Sequence, residues 1–182
     1  MCVCNRLGKE VPAGAPSQLC AIVFPMDVDE KHEILRHAVA TVAYRAARAL
    51  NGAPESFAEF PGAGRRPDVI LAHMGDLFDW ALSMAEGAQR WQNSTPLPWE
   101  EEKLRFFRAV AAFDTYLSLG APLKASSERL FQGPVADALT HVGQLAMLRR
   151  LAGSPTQGEN FYLANIVRGH VGPDQAPPVK TV

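Results

Sequence analysis

Four stretches of this chain repeat apolar residues at the three- and four-residue spacing of a single helix face, and glycine or proline closes each of them. No stretch alternates as a half-buried strand would. Amphipathic helices of this kind bury their stripes only against one another, so the expected fold is all-α, an antiparallel four-helix bundle. The first helix is expected from a cap at Asp27 or Asp29 to Leu50, before Gly52, with Leu35, Ala38, Val39, Val42, Ala46 and Leu50 inward. The second opens at Pro67, with Asp68 in its first turn, and runs to about Glu86. Its inward face reads Val69, Ile70, His73, Leu77, Trp80, Ala81 and Met84. The third starts near Trp99 behind Glu100, Glu101 and Glu102, and its stripe is Phe106, Val110, Phe113 and Leu117. The fourth starts at Pro134, after a short turn capped by Ser126 or Ser127, and ends before Gly153. GENFYLANI, from Gly158, suggests a short additional terminal helix.

A length of 182 residues suits one domain. Residues 1 to 26, with scattered glycine and proline, read as an irregular arm, 27 to 170 as the helical bundle, and 171 to 182 as a proline-rich tail. Cys2, Cys4 and Cys20 all fall in the arm; an odd number there gives no disulfide framework, and Cys2-x-Cys4 is one residue short of the usual metal or redox spacing. A formal net charge of -1, with no basic cluster among aromatics, argues against a nucleic-acid partner. No apolar run is long enough to span a membrane, and LCAIVFPM lacks the flanks of a secretory signal, so a cytoplasmic protein is expected.

Asp137 and His141 stand four apart in the fourth helix, on one face, above Leu145, Leu148 and Ala152. His73 points the same way from the second. A carboxylate and two imidazoles turned toward a core need partners, and two kinds are available: other side chains, or a metal ion. Three N and O ligands with open positions suit zinc or a neighbouring divalent metal such as nickel, iron or manganese. Asp76, one turn beyond His73, could orient that imidazole or act beside it. His32 and His37 fall off their stripe and are expected at the surface, as are Asp79 and His170.

LAHMGDLFDWAL on the second helix, and DALTHVGQLAMLRRLAGSP followed by ENFY, resemble the DinB/YfiT-like family of four-helix-bundle metalloenzymes over roughly residues 27 to 170. That resemblance implies a metal held by His73, Asp137 and His141; many members carry histidine where this chain has Asp137. It also implies, by analogy with the family's thiol-dependent enzymes, a low-molecular-weight thiol as co-substrate and a small electrophile as substrate. Asp76 would then move a proton. Gln144 would orient a ligand or bond a neighbouring helix, and Asn160 and Tyr162 would line the mouth. Arg149 and Arg150 could attract an acidic thiol, or simply compensate the helix dipole. The expected function is a metal-dependent thiol transferase or hydrolase of small molecules. The alternative is a non-catalytic, stress-associated metal- or ligand-binding bundle; a homodimer fits both.

Overall fold

The computed structural model describes residues 28 to 62 and 64 to 182. The arm with its three cysteines, and both candidate caps of the first helix, lie outside the residues whose side chains are described. The rest is all-α: α1 spans Val28–Leu50, α2 Pro67–Ala85, α3 Trp99–Ser118, α4 Ser127–Leu130 and α5 Ala136–Leu151. Among the described residues there is no strand, only one isolated antiparallel bridge between Glu159 and Thr181. No helix among them is long and apolar enough to cross a membrane.

The apolar stripes form the core. Phe78 on α2 meets Phe106 on α3 edge to face at 6.0 Å, and Phe57, from the loop before α2, meets Trp99 at 5.6 Å. Such contacts add to the area that aromatic side chains remove from water. Along α1, Val39, Val42, Ala46 and Leu50 are buried as expected, and so are Ala40, Ala43, Tyr44 and Ala47 on the other side. That second face is covered by the chain after α5. Tyr44 Oη donates to Glu159 Oε1 at 2.6 Å, Arg48 Nε donates to Glu159 Oε2 at 3.1 Å, and Val171 is buried.

This packing corrects the expected terminal helix. Residues 158 to 166 form turns and extended backbone: the Asn160 N–H donates to the Lys180 carbonyl, and the Asn160 side chain accepts from the Tyr162 N–H. Local side-chain bonds of that kind compete with helix formation. His32 is a second correction. It is buried, its Nε2 3.2 Å from the Ala121 carbonyl, because the loop after α3 folds over that end of α1.

Arg149 is a third. Instead of a surface charge at the end of α5, its guanidinium is buried and donates to the carbonyls of Ala49, Asn51 and Gly52. These are the orphan acceptors at the end of α1, where Gly52 takes a φ of 68° that other residues adopt at a cost. Asp114 lies at a helix seam, with Arg36 Nε of α1 donating to its Oδ1 at 3.0 Å.

The last correction concerns the start of the fourth helix. α4 opens at Ser127 with the Ser126 hydroxyl accepting from the Arg129 N–H, and runs into α5 through a wider π-helical turn, Phe131–Val135. Pro134 sits inside that turn, having no N–H to give and a ring that would strike the carbonyl four residues back in a regular helix. The wider turn relieves both and rotates α5 by roughly one residue, about 100° around the axis.

Candidate metal centre

Immediately after that turn, α5 presents Asp137 and His141 toward His73 of α2. Asp137 Oδ2 lies 3.6 Å from His73 Nε2, and Asp137 Oδ1 lies 3.5 Å from His141 Nε2. One ligand atom from each residue can be chosen so that all three lie within 4.8 Å of one another. Both carboxylate distances exceed a good hydrogen bond, which would close to about 3 Å. The two imidazoles approach different oxygens of the one carboxylate, so Asp137 lies between them within reach of a shared ion. His73, Asp137 and His141 therefore form a group that could hold a metal ion.

Metal binding takes the neutral imidazole, through a nitrogen that keeps its lone pair. Gln144, one turn after His141, places Oε1 2.9 Å from His141 Nδ1, so that nitrogen carries the proton and Nε2 keeps its lone pair toward the centre. Burial, reinforced by the nearby His141 and Arg65 and only partly opposed by Asp137, pushes the His73 imidazole below its usual pKa. The two imidazole rings meet edge to face at 4.9 Å, and Trp91 packs on the far side of His73 at 5.6 Å. The three side chains line an open cavity of about 550 Å³ together with Arg65, Ile70, Gln144, Met147 and Leu148.

Of the residues singled out in the sequence, His73, Asp137, His141 and Gln144 come together here. Gln144 serves a histidine of its own helix and does not bridge to a neighbour. Asp76, Asn160 and Tyr162 are elsewhere. Asp76 is buried against α3, bonded to the guanidinium of Arg105 and accepting the Ser94 N–H at 2.8 Å, so both of its oxygens are engaged. Asp76 does not line the cavity that His73, Asp137 and His141 share. Arg105 also binds Asp79 and the fully buried Glu102. Asn160 and Tyr162 belong to the segment covering α1, and the Tyr162 side chain is almost entirely exposed.

Arg65, Trp91 and Met147 have no counterpart among the residues singled out in the sequence. Trp91 had one signal, an isolated aromatic in a polar connector. Arg65 had none, because a loop residue obeys no period. Gly62 of the same loop packs against Leu148, where a Cβ would stand 2.2 Å from the Leu148 Cδ2. In comparisons with protein-family models, with curated proteins and with solved structures, nothing matches this chain.

Proposed function

We propose that this protein is a metal-dependent enzyme acting on a small molecule, with His73, Asp137 and His141 holding a divalent ion, zinc first among the candidates. The observation that carries this reading is the convergence of two imidazoles and a carboxylate at one cavity, their ligand atoms within 4.8 Å of one another and the carboxylate farther than a good hydrogen bond from either ring. In this reading the long helices form an antiparallel bundle of the DinB/YfiT-like kind, with the centre between two of them. When bound, the ion supplies Lewis acidity that brings a coordinated thiol or water toward deprotonation near neutral pH.

The chain's own residues divide the remaining work. Asp137 contributes the one acidic side chain to a site otherwise built from two imidazoles. Gln144 fixes the His141 tautomer, and Trp91 restrains the ring of His73. The open cavity leaves room for a small electrophile beside the centre, which suits transfer of a low-molecular-weight thiol or a hydrolysis. Stoichiometric zinc or another divalent ion, measured by mass spectrometry on protein purified without a metal-affinity tag, supports the reading when it is lost in Asp137→Ala and His141→Ala. Wild-type protein that neither carries metal nor melts higher with added zinc or nickel excludes it and leaves a metal-free polar cluster in a binding bundle.

A further inference from the structure

Resting on the metal reading above, we infer that the cavity takes a small carboxylate with an apolar body, its carboxylate held between the centre and Arg65. Arg65 lines the same cavity as the three candidate ligands. Its guanidinium makes no ion pair or hydrogen bond among the described residues, although the adjacent Arg66 pairs with both Asp68 and Glu59.

Arg65 is exposed, so water screens it, yet the site as a whole carries an excess of positive charge once an ion is bound. A divalent ion, one aspartate and one arginine sum to two positive charges, and among the described residues the only carboxylate lining the cavity is Asp137 itself. An anionic ligand resolves the imbalance, and a planar guanidinium matches a carboxylate in bidentate geometry.

The remaining lining sets the rest of the ligand. Ile70, Met147 and Leu148 present an apolar wall, and Met147 is largely exposed, available to cover an aliphatic body. A purely polar anion would leave that wall in water. Arg65 and these apolar side chains line the same cavity, so the charge and the wall lie together.

The test uses the full chain loaded with zinc and calorimetric titration with hexanoate, acetate, hexanol and hexylamine at one pH and salt concentration. Hexanoate is expected to bind best, and Arg65→Gln to weaken it about tenfold or more while leaving zinc affinity within a few-fold of wild type. Arg65→Lys keeps the charge without the fork and is expected to fall between the two. Equal binding of hexanoate to wild type and Arg65→Gln overturns the assignment of Arg65. Hexanol or hexylamine binding as well as hexanoate overturns the charge of the ligand class, and acetate binding as well as hexanoate overturns its apolar part. Failure of wild-type protein to bind zinc overturns the metal reading and this inference with it, whereas zinc binding with hexanoate indifferent to Arg65 overturns this inference alone.

Discussion

On α2, His73 and Asp76 lie three residues apart, yet the first faces an open cavity and the second a closed network of ion pairs. In the closed network Asp76 and Glu102 have side chains 4% and 0% exposed, both bonded to Arg105, and they also accept the Ser94 and Leu97 N–H groups. In the open cluster the carboxylate of Asp137 is 46% exposed and has no close cation. Among the described residues its one hydrogen-bonding contact is the Thr140 hydroxyl at 3.4 Å. Residue type does not separate the two, since each has an acid and a base. What separates them is whether the lone pairs are already used. A saturated carboxylate holds structure; an under-bonded one can still take a ligand.

The closed network also supports the open one. Ser94 and Leu97 anchor the connector between α2 and α3 to Asp76 and Glu102, and Ser83 holds Arg90 of the same connector through its hydroxyl. That connector carries Trp91 onto His73 and Trp80. Asp76 thus acts on the centre at a distance, as an anchor.

The contrast can be broken most directly at Arg105. Arg105→Ala leaves two buried carboxylates without their cation and is expected to lower the unfolding free energy by about 3 kcal/mol, read by urea denaturation. A loss below about 1 kcal/mol would show that Arg105 does not close the network. Asp137→Asn is expected to do the reverse: a change within about 0.5 kcal/mol in the metal-free protein, because the group is half exposed, with zinc affinity reduced at least about a hundredfold. Destabilisation of the metal-free protein comparable to that of Arg105→Ala would make Asp137 a structural residue too.

Gln144→Ala sharpens the picture at smaller amplitude. Without the acceptor for Nδ1–H, zinc affinity is expected to fall about tenfold by competition titration, with little change in stability. An unchanged affinity would remove Gln144 from the centre.

The smallest effect concerns pH. In the unfolded chain His73 titrates near about 6.5, and in the folded, metal-free protein it titrates lower. Between those values the unfolded state binds more protons, so stability rises with pH across the window. The contribution is complete above about 6.5 and is lost as pH falls through the folded value. Denaturation of metal-free protein over that range is expected to show this slope, shallower in His73→Gln; identical slopes would place the titration elsewhere.

Much of the centre was legible from spacing. Asp137, His141 and Gln144 succeed one another by four and three residues, and the histidine of α2 lies among apolar neighbours, so the cluster could be assembled on paper. Spacing could not separate Asp76 from it. Three residues after His73 put the two near one another on the helix surface, but an α-helix turns about 100° per residue and the two side chains reach different neighbours. Arg149 was misread for a related reason: a basic residue in a last turn suits the dipole, and only the proximity of the end of α1 shows that it serves another helix's carbonyls.

Local periodicity by itself determined the all-α class, the extents of α1, α2 and α3, and the inward faces of their stripes except at Val69, which is exposed in the first turn of α2, because those depend on residues a few positions apart. Tertiary structure decided the rest. The π-helical turn at Gly133–Pro134 sets which face of α5 meets α2, and the packing of the C-terminal segment on Tyr44 and Arg48 replaces the expected last helix. Arg65 reaches the cavity from the loop before α2, where no helical period applies. Each depends on groups distant in sequence competing for one space or one hydrogen bond, and no local pattern records the outcome of that competition.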